Sequence, residues 1–162
     1  MTTVSLLATV PDPGRAMRVE ILTASGFTLT FDTADAGEAR AGPGPAESAL
    51  AALAGCTSMD VASILRKKRQ PATTYRIAVT AERSDNHPQV YTRIVLEHQV
   101  SGEVEPEALR RAIELSATVY CPVGAMLARA VRIEHRYLLA REGREDVGAL
   151  VAITAPEGTQ VI

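Results

Sequence analysis

A chain of 162 residues, 46% hydrophobic and with a net charge of −2, fits one globular domain, 1–162, burying ~70% of its unfolded surface. The balanced charge gives no basis for nucleic-acid binding. There is no signal-peptide pattern at the N-terminus, and no segment approaches the ~20 uninterrupted apolar residues that would cross a bilayer. Two cysteines without a secretory signal point to a reducing cytoplasm, where they are buried hydrophobes or reactive thiols rather than a structural disulfide.

In chain order, Thr3 to Val10 reads as a strand ended by Pro11-Asp12-Pro13-Gly14. Val19 and Ile21 alternate with polar residues, as do Phe27, Leu29 and Phe31, and Ser25-Gly26 between them signals a hairpin. A loop rich in Ala, Gly and Asp follows from Asp32 to Pro43, with Arg40 as its cation. Gly44 to Gln70 then reads as one long helix. Pro45 suits the first helical position, Glu47 complements the positive end of the dipole, Arg66 to Arg69 complement the negative end, and Pro71 stops it. Leu50, Leu53, Cys56, Met59, Val61, Ile64 and Leu65 surround this helix on every side, so it needs burial within a larger assembly.

Tyr75, Ile77, Val79 and Ala81 alternate, then Ile94, Leu96 and Val100, with a turn at Ser84 to Pro88. Pro106 opens a second helix on which Leu109, Ala112, Ile113 and Ala117 follow the 3.6 period. Cys121-Pro122 interrupts it, and Val123 to Arg129 forms a short third helix. Val131 to Leu139 alternates as a further strand, and Ala149 to Ile153 in the tail is expected as an extra edge strand. Strands and helices come in runs, which predicts an α+β fold with largely antiparallel sheets. An interlocked homodimer would cover the long helix.

Two thiols carry the candidate chemistry. Cys121 precedes Pro122 and is placed at the N-cap of the third helix, where unpaired amide hydrogens favour a thiolate. Cys56 lies in mid-helix, where burial raises its pKa. Local electrostatics therefore makes Cys121 the more reactive, while both remain open to a plain core role, since free cysteine is among the most buried residue types. Glu47 precedes Cys56 by nine residues, ~13 Å along the axis and half a turn around. One straight helix cannot bring them together, but two copies crossing antiparallel near Ala51-Ala52 would set each Glu47 level with the other copy's Cys56. The simpler alternative is that Glu47 serves its own helix dipole. His87, His98 and His135 have no spacing that indicates zinc, and structural or solvent-facing roles are expected for them. The chain has no glycine-rich phosphate loop and no Gly-x-Ser-x-Gly elbow.

Three segments, Pro45-Ala-Glu47, Leu53-Ala-Gly-Cys56-Thr-Ser-Met-Asp60 and Tyr120-Cys121-Pro122-Val123, together resemble the OsmC/Ohr family of cysteine-dependent hydroperoxide reductases. Ile64 to Gln70 and His87 to Arg93 are closer to the OsmC-like branch than to the organic hydroperoxide resistance proteins. The likeness runs from about Arg18 to Leu139 and leaves 140–162 as a C-terminal extension. It implies an OsmC-like fold in which antiparallel sheets wrap around long central helices in an intertwined cytoplasmic homodimer, with active sites at the interface. It further implies that Cys56 attacks a peroxide, Cys121 resolves the sulfenic acid as a disulfide, and an external dithiol restores both, without metal or cofactor. Glu47 resembles the family's catalytic acid, which pairs with an arginine. The family's arginine lies farther upstream, where this chain has Thr33, Ala34, Asp35 or Ala36, so Arg40 is the candidate replacement. A small-molecule binding protein and a thiol-based transferase acting on persulfide or acyl groups are the rival readings.

Overall fold

Alternating apolar segments pair as strands, and one helix stripe packs on them, in a computed structural model that describes residues 3–14, 17–33 and 39–162. The chain groups into two compact units, Met1–Ala51 and Ala52–Ile162.

In the first unit, β1 (Leu6–Thr9), β2 (Val19–Thr23) and β3 (Thr28–Phe31) form an antiparallel sheet in the order β1-β2-β3. Gly26 takes φ +84° in the hairpin turn, a conformation glycine adopts without a Cβ clash. β1 is shorter than the Thr3–Val10 expectation. The Asp32 carboxylate accepts the Ala41 N–H at 2.8 Å, and the Asp32 N–H donates to the Pro43 carbonyl at 3.2 Å, which closes the loop before the long helix.

That helix, α1, spans Pro45–Lys67, three residues short of the expected end at Gln70. Gln70 N–H bonds back to the Leu65 carbonyl at 3.0 Å while Arg69 takes φ 55°, so the chain leaves the helix through a left-handed residue before Pro71. Leu53, Thr57, Val61 and Leu65 form the buried stripe, each one turn beyond the last, whereas Met59 is 76% exposed. By length and composition alone α1 is long and apolar enough to cross a membrane, which the sequence reading did not expect. Core helices share that character, and here the stripe Leu53, Thr57, Val61 and Leu65 is buried within the protein, with Asp60 in mid-helix.

The second unit holds a five-stranded sheet in the order β4-β5-β6-β7-β8, from β4 (Ala72–Arg83), β5 (Tyr91–Gly102), β6 (Arg132–Ala140), β7 (Val147–Ala155) and β8 (Gly158–Val161). β5 and β6 run parallel, the one departure from antiparallel pairing in this sheet. The cause is the long connection between them, which carries α2 (Pro106–Leu115), a π-helical turn (Ser116–Tyr120) and α3 (Pro122–Leu127) and returns the chain in the same direction. At the end of β5, Gly102 adopts φ +119°, and a Cβ there would meet the backbone of Pro71.

The tail is not the expected edge strand. β7 is internal, paired with β6 and β8, and its Val151 and Ala152 are core residues; β8 is the edge. One sheet face carries Val100, Tyr137 and Leu139, which pack with Val61 and Leu65 of α1 and with Leu109, Ala112 and Ile113 of α2. His98 and His135 share that face by strand alternation and are 0% and 1% exposed, so neither is solvent-facing; His87 in the turn is exposed. On the opposite face, Glu134 receives Arg93 through two hydrogen bonds of 2.9 Å, Arg132 at 3.2 Å and Arg136 at 2.9 Å.

Candidate active site

Cys56 and Asp60 are four residues apart on α1, a spacing that stacks both side chains on one face. Cys121 arrives from the far end of the α2 connection. The Cys121 N–H bonds to the Ser116 carbonyl at 3.0 Å, which closes the π-helical turn. Cys121 then caps α3 with φ −74° and ψ 102°, and its sulfur accepts the Gly124 N–H at 3.2 Å. A Cβ on Gly124 would lie 3.4 Å from that sulfur, in van der Waals contact with it.

The two sulfur atoms and a carboxylate oxygen of Asp60 all lie within 4.8 Å of one another. The Cys56 sulfur thus faces Cys121, and the backbone of Val123 at the start of α3 also acts on it. Thr57 Oγ1 stands 3.6 Å from Cys121 Sγ. Ser116 Oγ donates to Asp60 Oδ2 at 3.0 Å and is fully buried. Ser116 thus holds Cys121 through its carbonyl and Asp60 through its hydroxyl.

Burial pushes the Cys56 thiol up, and the hydrogen bond to Cys121 adds to it; the Val123 N–H pulls down, and the charges of Cys121 and Asp60 push up again. The net direction is upward, as the mid-helix position implies. Cys121 is only 4% exposed, whereas Cys56 is half-buried and is the thiol more open to a small reactant. Beside them an open cleft of ≈ 360 Å³ is lined by Asp60, Ser63, Ile64, Lys67, Lys68, Leu115 and Tyr120.

A second polar cluster lies under this sheet. Tyr75 Oη and His98 Nδ1 are 2.8 Å apart, Ser58 also bonds to Tyr75, and the rings of His98 and His135 stack at 6.3 Å. Burial pushes Tyr75 upward. It drives His98 down to about 3, with the neighbouring His135 assisting, and His135 down to about 4.

Of the residues singled out in the sequence, Cys56 and Cys121 come together in the second unit. Glu47, in the first turn of α1, and Arg40, in the loop before it, belong to the first unit, where both are exposed. Ala34, Asp35 and Ala36, considered at the position of the family's arginine, lie outside the described residues. Asp60 was visible only as part of a motif, although its four-residue spacing from Cys56 was the available signal. Ser116 offered none, because its role depends on the π-helical turn.

The family described as OsmC-like protein matches residues 36–136. Protein YhfA of Escherichia coli (strain K12) is 39% identical over 115 residues, covering 70% of this chain and 84% of that protein. The chain belongs to the OsmC-like family. Among solved structures, this OsmC-like chain is similar to a hypothetical protein from Aquifex aeolicus VF5, with TM-score 0.75, 27% identity and coverage of 88% of this chain and 99% of that one. It is also similar to an organic hydroperoxide resistance protein OsmC from Legionella pneumophila, with TM-score 0.60, 14% identity and coverage of 86% and 98%, a likeness of fold.

Proposed function

We propose that this OsmC-like chain is a thiol-dependent peroxidase that reduces organic hydroperoxides or hydrogen peroxide, acting as a cytoplasmic homodimer. The observation that carries the reading is the meeting of Cys56 and Cys121, 65 residues apart in sequence by their numbers, with their sulfur atoms within 4.8 Å of each other. The structural neighbours that are hydroperoxide resistance proteins support it at the level of fold.

In this reading the Cys56 thiolate attacks the terminal peroxide oxygen. The O–O bond breaks, Cys56 becomes a sulfenic acid, and the leaving oxygen takes a proton to depart as alcohol or water. The Cys121 thiolate then attacks the Cys56 sulfur. The S–O bond breaks, the hydroxyl takes a proton and leaves as water, and a Cys56–Cys121 disulfide forms. Sulfur atoms within 4.8 Å close by up to about 2.7 Å to reach the ~2.05 Å of that bond. An external dithiol reduces the disulfide by exchange and completes the cycle. On the family resemblance, Glu47 is proposed as the acid and Arg40 as the cation that favours the thiolate.

The test is peroxide consumption with a dithiol reductant by wild type, Cys56→Ser and Cys121→Ser. Cys56→Ser is expected to abolish turnover. Cys121→Ser is expected to allow one oxidation and leave the sulfenic acid trappable. Unaltered turnover in Cys56→Ser would end the proposal. The raised Cys56 thiol favours, as a second reading, a small-molecule binding protein with little peroxidase action, and a thiol-based transferase is the other rival. An acyl or persulfide group on Cys56 in mass spectra of the purified protein would select the transferase.

A further inference from the structure

Cys56, Asp60 and Cys121 present two sulfurs and a carboxylate to one point, each ligand atom within 4.8 Å of the others. We propose that these three residues form a binding site for a thiophilic divalent transition-metal ion, zinc(II) above all, with the fourth position left to water or another ligand. The site shares its thiols with the peroxidase reading but does not depend on that reading.

Geometry is the first argument. Zinc bonds of about 2.3 Å to sulfur and 2.0 Å to a carboxylate, at tetrahedral angles, require ligand separations of roughly 3.5–3.8 Å. The present triangle therefore contracts by up to about 1.3 Å to hold the ion. Soft thiolates beside one carboxylate select zinc over magnesium or calcium, which take oxygen ligands.

The surroundings supply the second argument. The Ser116 hydroxyl, fully buried, donates to Asp60 at 3.0 Å and fixes the carboxylate in the way outer partners orient metal ligands. The Gly124 N–H donates to the Cys121 sulfur at 3.2 Å and holds that ligand atom at the head of α3. Two metal-bound thiolates and the carboxylate together carry three negative charges, of which a dication offsets two. Binding converts two thiols to metal-bound thiolates and releases up to two protons, so affinity rises with pH.

The experiment uses the full chain without a polyhistidine tag, reduced, freed of metal with a chelator and kept anaerobic. Cobalt(II) is titrated in and then displaced by zinc(II). The expected result is one cobalt per chain, thiolate-to-cobalt charge-transfer absorption in the near ultraviolet, and the strong visible bands of a tetrahedral ion. Zinc affinity, read by indicator competition, is expected to fall roughly tenfold or more in Asp60→Asn and roughly tenfold in Ser116→Ala, with stoichiometric binding lost in Cys121→Ser. Circular dichroism of each variant verifies folding, and Asp60→Asn keeps the side chain's volume and its acceptor for Ser116. An octahedral cobalt spectrum, no binding at equimolar metal, or undiminished affinity in folded Asp60→Asn would overturn the site. Peroxide consumption by the metal-free protein is measured in parallel. Its absence would sink the peroxidase reading while leaving a positive metal titration intact, and turnover without metal binding would do the reverse.

Discussion

Asp60 stands one helical turn beyond Cys56, and its charge opposes the ionisation on which thiol reactivity depends. Burial and the hydrogen bond to Cys121 act in the same direction, with the Val123 N–H as the opposing influence. The thiolate is the nucleophile, so a raised pKa shifts the rising limb of reactivity to higher pH. In the metal-free protein, alkylation of Cys56 by iodoacetamide, followed on its own peptide by mass spectrometry, is therefore expected to reach half-maximal rate above the ordinary thiol value of about 8.5. Asp60→Asn removes a like charge and is expected to move that midpoint down. A midpoint unchanged or raised in this variant would show that Asp60 does not act on the sulfur. The same carboxylate thus has opposite consequences in two settings: it hinders a free thiolate and assists a bound cation.

The π-helical turn Ser116–Tyr120 is the element that makes the site, because it offsets the chain between α2 and α3 and delivers Cys121 to α1. Ser116→Ala removes the hydroxyl that meets the Asp60 carboxylate and leaves the acceptor without its buried donor. The expected cost is about 2 kcal/mol in urea unfolding, the range for a hydrogen bond to a charged group. A variant as stable as wild type would mean that the bond contributes nothing net. No signature in the sequence marks this turn, since its i to i+5 bond uses only backbone atoms, and Ala117 continues the helical period straight through it. Parallel pairing of β5 with β6 was hidden for a similar reason, because alternation fixes which face a residue takes but not the direction of its neighbour. Other features were legible. Pro45, Glu47 and Pro71 bracket α1 to within three residues, and Pro122 marks the N-cap at Cys121. For His98 and His135 the sequence reading leaves structural and solvent-facing roles open, although they share strand parity with Leu96, Val100, Ile133 and Tyr137, and that parity places them inside.

Across the whole molecule, the five-stranded sheet holds titratable groups of opposite character on its two faces, and each face sets its own acid limit. On the helix side, His98 and His135 are held near 3 and near 4, below the unfolded value of about 6.5. As pH falls below 6.5 the unfolded chain takes up protons that the folded chain refuses, so stability declines, and it stops declining once the folded histidines titrate. Between about pH 6 and 4 the pair contributes a slope on the order of 2 kcal/mol per pH unit. On the other side, Glu134 is held down to about 2 by Arg93 first, then by Arg132 and Arg136. Its contribution is complete above the unfolded carboxylate value of about 4.3 and disappears as pH falls toward 2. The two windows overlap between about pH 3 and 4.3 and are distinct outside that range, so two substitutions separate them. His135→Leu, which replaces a ring whose nitrogens have no hydrogen-bond partner among the described residues, is expected to remove about half the slope between pH 6 and 4. Glu134→Gln is expected to lower stability at neutral pH while flattening the decline below about pH 4.3. Urea unfolding at a series of pH values reads both effects. A His135→Leu slope equal to that of wild type between pH 6 and 4 would show that the buried ring is not the group limiting acid stability in that window.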